Sequence, residues 1–419
     1  MAEATKLHIA MFPWLAFGHM IPYLELAKLI AQKGHKISFI STPRNIDRLP
    51  KLPPDLASSI QFIKLPLPHV ENLPEDAEAT TDLPYNKVLY LKLALDGLQD
   101  SLANFLETSS PDWLLLDFAA YWLPPLAHSV TEFFDSITGE GSHTSDVYRF
   151  EKVIELCDAI VVRSCREFEP EYLNLLKELH QKPVIPVGQL PTTAYSKGDD
   201  DEAWKPIKEW LDKQETESVV YVAFGSEAKP SQEEVTEIAL GLELSGLPFF
   251  WVLRTQRGVS DTESIELPYG FEERTKGRGV VCTRWAPQLK ILAHDSVGGF
   301  FSHGGWSSVV EALQFERALI LLTFLADQGI NARVLEEKKI GYVIPRNEKD
   351  GKFTRESVAE SLRLVVVEEV GKVYRDKAKE MKQIFGDRER QHLYVDQLLS
   401  FLINNKNLIK SRPLARIEQ

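Results

Sequence analysis

Short apolar runs alternate with longer amphipathic stretches along most of the chain. In the first half, apolar runs predict five strands, at residues 7–12, 36–41, 61–65, 113–116 and 159–162. The stretches between and after them predict helices at residues 23–33, 87–106 and 169–179. This alternation is typical of βαβ units, in which parallel strands are covered by helices.

A second series of the same kind follows a polar stretch at residues 191–201, which predicts a linker. Its apolar runs predict strands at residues 218–224, 248–253, 279–283, 297–302 and 318–322. Helices are predicted at residues 232–244 and 306–314, and the tail from Thr354 onward is predicted to be almost entirely helical. The sequence therefore predicts an α/β protein with two Rossmann-like halves and a cleft between them. Ligands of such sheets bind at the carboxyl ends of the strands.

Composition excludes several classes of protein. A length of 419 residues suits two or three domains, and a net charge of −13 argues against binding nucleic acid or an anionic membrane. Cys157, Cys165 and Cys282 form no CxxC pair, which argues against a disulfide framework or a zinc site, and Cys282 is expected in the core. The N-terminal apolar run is broken by Pro13, which argues against a signal peptide. No apolar run reaches the ~20 residues of a membrane span. We expect a cytoplasmic protein.

A glycine turn in the second half predicts an anion site. The predicted strand at 297–302 ends in His303-Gly304-Gly305, and a helix opens at Trp306. Glycines let the backbone approach a ligand, and the free N–H groups of a helix N-terminus favour phosphate. Ser307 and Ser308 add hydroxyl donors. On these features alone, a capped helix without a ligand remains equally open.

Two further residue types suit a nucleotide at this turn. Glu311 lies three residues after Ser308 on the same helical face, and a carboxylate there can accept two ribose hydroxyls. Trp285 offers a flat face for a base. The same residues also suit an ordinary core.

The first half carries a candidate general base. His19 closes the predicted loop 14–19 after the first strand, before a helix expected to begin at Pro22, and Asp117 ends the strand at 113–116. An imidazole can deprotonate a hydroxyl, and a carboxylate on its far nitrogen fixes the tautomer. Taken alone, His19 is better explained as a loop residue without a role.

Residues 285–328, WAPQLKILAHDSVGGFFSHGGWSSVVEALQFERALILLTFLADQ, resemble the 44-residue signature of the plant UDP-dependent glycosyltransferases. FGHMIPYLELA and LLLDFAAYW resemble the segments that carry the catalytic base and its orienting acid in that family. The resemblance implies the GT-B fold, two Rossmann-like domains facing each other across a cleft.

The resemblance also implies roles for individual residues. His19 and Asp117 would be catalytic, and the acceptor would contact Trp14, Phe17 and Gly18. The donor UDP-sugar would contact Ser226, Trp285, Ala286, Gln288, His303, Gly305, Trp306, Ser307, Ser308, Glu311, Asp327 and Gln328. The family's usual Cys and Asn are Gly304 and Ser307 here; Gly304 should be harmless, whereas the shorter Ser307 should weaken a phosphate or sugar contact.

Domain boundaries follow from the same comparison. We expect an acceptor domain at residues 1–200, a donor domain at 201–390, and a tail at 391–419 that crosses back to the first domain. Family members carry several dozen more residues after Ala127, so a strand and a helix are expected to be missing there. The expected result is a more open acceptor pocket and more hydrolysis of the donor.

The predicted function is inverting transfer of a sugar, glucose by resemblance, from a UDP-sugar to a hydroxyl of a terpenoid or flavonoid glycoside or aglycone. The main alternative is a UDP-sugar-binding protein with impaired or absent transfer; a sugar-nucleotide epimerase has no support beyond the fold. No metal or other cofactor is expected, since Asp199–Asp201 lies in a polar stretch typical of a solvated charge run. A monomer is expected.

Overall fold

The computed structural model describes residues 6–124, 130–134, 145–192, 203–225, 228, 230–253 and 265–409. The chain divides into two compact units. Unit 1 comprises Met1–Thr192 with Arg388–Gln419, and unit 2 comprises Thr193–Asp387. No helix within the described residues is long and apolar enough to cross a membrane.

The strands are β1 (His8–Phe12), β2 (Lys36–Ser41), β3 (Ile60–Lys64), β4 (Trp113–Leu116), β5 (Val130–Phe134), β6 (Ala159–Val162), β7 (Val184–Pro186), β8 (Val219–Ala223), β9 (Phe249–Val252), β10 (Gly279–Cys282), β11 (Val297–Ser302), β12 (Ala318–Leu321) and β13 (Gly341–Val343). The helices of the first half are α1 (Phe17–Gln32), α2 (Pro43–Arg48), α3 (Val88–Asp96), α4 (Gln99–Ser109), α5 (Asp146–Leu156) and α6 (Pro170–His180). Those that follow are α7 (Trp204–Leu211), α8 (Gln232–Ser245), α9 (Phe271–Arg274), α10 (Gln288–Ala293), α11 (Trp306–Leu313), α12 (Ala326–Glu337), α13 (Arg355–Val366), α14 (Lys372–Phe385) and α15 (Arg388–Ile409).

Unit 1 contains a parallel sheet in the order β3-β2-β1-β4-β5-β6-β7. Ile9 of β1 lies opposite Ile37 of β2 and Trp113 of β4, and all three side chains are buried. Strands covered by helices on both faces are expected to be apolar, and the central strand β4 is apolar and buried from Trp113 to Leu116. The central pair β1 and β4 therefore brings the loops after Phe12 and Leu116 to the same edge of the sheet.

The expected loss of a strand after Ala127 is wrong. Strand β5 pairs in parallel with β4, with Leu115 opposite Thr131, and with β6, with Thr131 opposite Ala159. Parallel neighbours need a crossover of about a dozen residues, and the chain between β4 and β5 is long enough. The sheet of unit 1 is therefore continuous from β4 through β5 to β6.

Two predicted helices have different bounds in the structure. The single helix expected at 87–106 is divided into α3 and α4 at Gly97, where a Cβ atom would lie 2.6 Å from Pro68. Helix α1 begins at Phe17 rather than Pro22, because Met20 N already donates to the carbonyl of Ala16 at 2.9 Å. His19 therefore lies in the first turn of a helix, not in the preceding loop.

Unit 2 contains a second parallel sheet, in the order β10-β9-β8-β11-β12-β13. Phe249, Trp251 and Phe301 are buried between this sheet and its helices. The three-residue strand β13 was not predicted, because so short an element carries no periodic signal. Cys282, expected in the core, is only partly buried because β10 is the edge strand of the sheet.

The C-terminal helix α15 completes the core of unit 1. Its residues Val395, Leu398 and Leu402 are buried with the strands of that unit, and Trp113 Nε1 donates to the carbonyl of Leu402 at 3.1 Å. The side-chain amide of Gln391 accepts from Leu190 N at 2.9 Å. The helix is thus fixed to unit 1 in its first turn and again at Leu402.

Candidate active site

A buried histidine–carboxylate pair lies at the carboxyl edge of the unit 1 sheet. His19 Nδ1 is 2.7 Å from Asp117 Oδ2, and the two residues are 6% and 2% exposed. The residues are 98 positions apart in the sequence, and they meet because β1 and β4 are parallel neighbours whose following loops share one edge. The structure therefore brings together the two predicted catalytic residues.

The backbone around Asp117 fixes the orientation of its carboxylate. Phe118 N donates to Oδ1 at 2.8 Å, and Trp14 N donates to Oδ2 at 3.1 Å. A carboxylate held by backbone donors has little rotational freedom, so the imidazole that it contacts is also oriented. A neutral imidazole that donates Nδ1–H to this carboxylate carries its lone pair on Nε2, the atom that a general base uses.

The three predicted acceptor residues have different environments. Trp14 is buried in the unit 1 core and packs edge-on against Phe118 at 6.2 Å between ring centroids. Phe17 is partly exposed, with the guanidinium of Arg48 5.1 Å from its ring centroid. Gly18 is exposed, and a Cβ atom there would have no neighbour within 4 Å. Phe17 and Gly18, in the first turn of α1, are accessible to a ligand, whereas Trp14 is buried in the loop that precedes the helix.

The glycine turn of unit 2 leaves a helix N-terminus without a side-chain cap. Strand β11 ends at Ser302, Gly304 has φ of +80°, and Gly305 occupies the N-cap position of α11. A positive φ of this size favours glycine, which explains why Gly304 serves where the family has Cys. Asn331 of α12, which the sequence reasoning missed, donates to the Gly304 carbonyl at 3.2 Å and fixes the turn. Asn331 lies just beyond the 285–328 signature, so no sequence signal pointed to it.

His303 is a neutral group inside this turn. Its Nδ1 lies 3.3 Å from Ser302 Oγ, and burial lowers its pKa to about 4. Cβ atoms at Gly225 and Gly305 would lie 2.8 and 2.6 Å from the ring, so both glycines make room for it. A neutral imidazole can donate a hydrogen bond to a phosphate without adding charge.

A second polar group connects α10 with α11. Gln288 Nε2 donates to Glu311 Oε2 at 2.6 Å, and Tyr221 OH donates to Gln288 Oε1 at 3.2 Å. Trp285 is 68% exposed, as a stacking platform for a base must be, and Ala286 beside it is buried. Gln288 and Glu311 thus form one hydrogen-bonded group with Tyr221. The role of Trp285, Gln288 and Glu311 in binding UDP stays a prediction.

The remaining residues predicted to contact the donor differ in how far they are exposed to solvent. Ser307, Ser308 and Asp327 are partly exposed. Gln328 is buried, and its Oε1 accepts from Phe324 N at 2.8 Å and Leu325 N at 3.0 Å, which caps α12. That oxygen is thus bound to its own helix, and only the Nε2 end is left for a sugar hydroxyl.

Other predicted groups serve structural roles or lie elsewhere. The ring of Trp306 packs against Phe385 of α14 at 6.2 Å between centroids. Ser226 and Asp199–Asp201 lie outside the described residues. Within the described ranges, no group of three His, Cys, Asp or Glu side chains could hold a metal ion.

Comparison with known proteins identifies the family. The family model for UDP-glucoronosyl and UDP-glucosyl transferases matches residues 182–396. UDP-glycosyltransferase 91A1 of Arabidopsis thaliana is 53% identical, over 96% of this chain and 98% of that protein. The chain belongs to this family. It is therefore a UDP-glycosyltransferase, an enzyme that uses a UDP-sugar as donor to a small-molecule acceptor.

Solved structures and a second relative extend the comparison. The crystal structure of Arabidopsis thaliana UGT89C1 complexed with UDP-L-rhamnose has a TM-score of 0.80 at 24% identity and covers 95% of this chain and 100% of that chain. This similarity confirms the GT-B fold. Soyasaponin III rhamnosyltransferase of Glycine max is 43% identical, over 94% of this UDP-glycosyltransferase and 95% of its own length.

Alignment length also bears on the shortness of this UDP-glycosyltransferase. The alignment with the Arabidopsis 91A1 protein runs over 461 positions, more than the 419 residues of the chain. The alignment therefore contains positions at which the relative has a residue and this chain has none, although it covers 98% of the relative. The position of these gaps after Ala127 stays a prediction.

Proposed function

We propose that this UDP-glycosyltransferase transfers glucose, with inversion, to a hydroxyl of a terpenoid or flavonoid glycoside. The single observation that carries the mechanism is the buried 2.7 Å contact between His19 and Asp117. Nε2 of His19 takes the proton of the acceptor hydroxyl while that oxygen attacks the anomeric carbon. The bond between that carbon and the diphosphate breaks, UDP leaves, and the α-linked donor yields a β-glycoside.

Asp117 stabilises the imidazolium that forms during attack. A carboxylate already fixed by the N–H groups of Phe118 and Trp14 needs no rearrangement when the positive charge appears on His19. The charge that develops on UDP is met in unit 2 by the uncapped N-terminus of α11 and the hydroxyls of Ser307 and Ser308. The proposal assigns no role to a metal, so transfer should persist in EDTA and should not rise with added Mg²⁺ or Mn²⁺.

The acceptor class is proposed from the names of similar proteins. Among the relatives are a soyasaponin III rhamnosyltransferase and, at 36% identity, a mogroside IIIx synthase of Siraitia grosvenorii. The first name specifies a saponin as the acceptor of rhamnose, and the second specifies a mogroside as the product. The rhamnosyltransferase also makes UDP-rhamnose the donor against which UDP-glucose has to be compared.

A turnover screen tests the proposal directly. UDP-glucose and UDP-rhamnose are each incubated with terpenoid and flavonoid glycosides and with the matching aglycones, and free UDP and product mass are measured together. We expect a hexose mass gain on a glycoside, with a β-anomeric linkage by NMR. Transfer only from UDP-rhamnose would overturn the donor assignment, and transfer only to aglycones would overturn the acceptor assignment.

The ratio of free UDP to glycosylated product tests the binding-protein alternative in the same samples. Equal amounts support efficient transfer. Free UDP in excess would show the donor hydrolysis expected of an open pocket, and UDP binding without any turnover would establish the binding protein instead.

A further inference from the structure

Two buried ion pairs join the same two helices of unit 1. Lys92 of α3 lies 2.5 and 2.7 Å from the carboxylate oxygens of Asp146 of α5. Arg149 of α5 binds Asp96 of α3 through two parallel bonds of 2.7 and 2.6 Å, and Arg149 is completely buried. The two pairs join the same two helices, and Lys92, Asp146 and Arg149 are buried. The Asp96 side chain is 20% exposed. The Lys92 pair therefore serves as a control for the Arg149 pair.

Only the Arg149 pair reaches the turn that follows Asp117. Arg149 NH1 donates to the carbonyl of Ala119 at 2.8 Å, and the guanidinium lies 4.9 Å from the ring centroid of Tyr121. Asp96 Oδ1 also accepts from Trp122 Nε1 at 3.0 Å. The pair therefore holds three residues of the turn, two of them by hydrogen bonds.

The turn in question carries the catalytic carboxylate. Ala119 is separated from Asp117 only by Phe118, whose N–H donates to Asp117 Oδ1. The ring of Phe118 also lies 6.2 Å from the rings of both His19 and Trp14. A displacement of the Ala119 carbonyl therefore moves the peptide that orients Asp117 and the ring that packs beside His19.

Physical chemistry favours a positioning role for such a pair over a stabilising one. Removing two charges from water is costly, and apolar residues of similar volume often stabilise a protein at least as well. A bidentate guanidinium, however, fixes direction as well as distance. We propose that Arg149, held by Asp96, is a positioning residue for the His19–Asp117 pair. The inference rests on the proposed function of that pair.

Matched methionine variants test the proposal. Arg149→Met and Lys92→Met each remove the cation of one buried pair between α3 and α5. We expect Arg149→Met to lower kcat on the order of 10- to 10²-fold, as a misplaced catalytic group does, and Lys92→Met to change kcat less than about 3-fold. Calorimetric affinity for UDP should be unchanged in both, which shows that unit 2 is intact.

The pH–rate profile separates positioning from general damage. If Asp117 is no longer aligned with the imidazole, it stabilises the imidazolium less. The acid limb of the pH profile of kcat/KM then moves to lower pH in Arg149→Met. The limb should stay in place in Lys92→Met. Equal losses of kcat with an unmoved limb in both variants would overturn the proposal.

A double-mutant cycle with Asp117→Asn supplies the second measurement. If Arg149 acts through Asp117, Arg149→Met should lower kcat much less in the Asp117→Asn background than in the wild type. Additive losses would overturn the proposal. Asp96→Asn, which retains shape, serves in the same cycle if Arg149→Met does not fold. Full turnover in His19→Ala would instead refute the proposed function, whatever the Arg149 variants do.

Discussion

The two sheets of this UDP-glycosyltransferase present different chemistry at the same topological position. At the carboxyl edge of unit 1, the functional groups are the side chains of His19 and Asp117, both buried and hydrogen-bonded to each other. At the carboxyl edge of unit 2, the N–H groups of α11 follow a glycine turn and have no side-chain cap. Under the proposed function, the first edge transfers a proton and the second binds the diphosphate.

The difference lies in how each edge is fixed. In unit 1, buried hydrogen bonds such as the one from Trp14 N to Asp117 fix the orientation of a few side chains. Unit 2 fixes its backbone, with Asn331 bound to the Gly304 carbonyl and Gln328 capping α12. Single substitutions should therefore affect the rate in unit 1 and the affinity for the donor in unit 2.

The largest expected effect is that of His19→Ala. Loss of a general base typically lowers the rate ~10²–10⁴-fold, whereas the affinity for UDP should be nearly unchanged, because the donor groups lie in unit 2. Single-turnover kinetics and titration calorimetry with UDP measure the two quantities. A collapse of UDP affinity with near-normal turnover would reverse the assignment of the two edges.

Asp117→Asn should lower kcat by roughly 10²-fold, because an amide cannot stabilise the imidazolium as a carboxylate does. The variant keeps the shape of the residue, so the KM for the UDP-sugar should change little. Asp47→Asn, an exposed carboxylate paired with Lys64 at 2.6 Å, is the matched control. An unchanged kcat would remove Asp117 from the mechanism.

In unit 2, Glu311→Gln should act mainly on donor binding. It removes a charged acceptor bonded to Gln288 at 2.6 Å, and loss of one charged hydrogen bond of about 1.5–3 kcal/mol corresponds to a KM rise of roughly 10- to 100-fold. Glu233→Gln at an exposed pair with Lys352 provides the control. A fall in kcat with unchanged donor KM would contradict the comparison.

The smallest effect concerns acid stability. An unfolded histidine titrates near 6.5, whereas burial lowers the pKa of folded His303 to about 4. Between these values the unfolded chain binds a proton that the folded chain does not, so stability is full above pH 6.5 and falls as the pH drops toward 4. The loss amounts to roughly 2 kcal/mol for a partly exposed ring.

Urea unfolding between pH 7 and 4 measures this slope. His303→Gln should flatten the acid side of the curve, and His69→Gln, at an exposed residue, should leave it as in the wild type. Equal slopes in all three proteins would show that His303 does not carry the acid sensitivity.

Periodicity predicted most strands of both sheets, and it placed His19 and Asp117 near the same sheet edge. Their role as a pair was implied only by the family resemblance. Strand β2 and strand β11 have the predicted bounds, because apolar runs between turn residues leave little freedom. The signal failed where tertiary packing decides. Helices α3 and α4 are divided at Gly97, where a Cβ atom would lie 2.6 Å from Pro68. Nothing in the sequence indicates that these two residues lie close together.

Side-chain contacts over long sequence distances were beyond sequence reasoning. Arg149 reads as one charged residue in an amphipathic helix, yet it is fully buried and bound to the Ala119 carbonyl. The capping role of Gln328 was not predicted, because the family resemblance assigned this side chain to the donor sugar.

The place of α15 in the core of unit 1 has a consequence for synthesis of the protein. Val395, Leu398, Leu399 and Leu402 belong to a core whose other buried members are made before Thr193. The ribosome must therefore translate all of unit 2 before unit 1 can close. At 5–20 residues per second this interval is roughly 10–40 s. The nascent first unit exposes an apolar surface throughout, so the unit that begins to fold first is the one that finishes last.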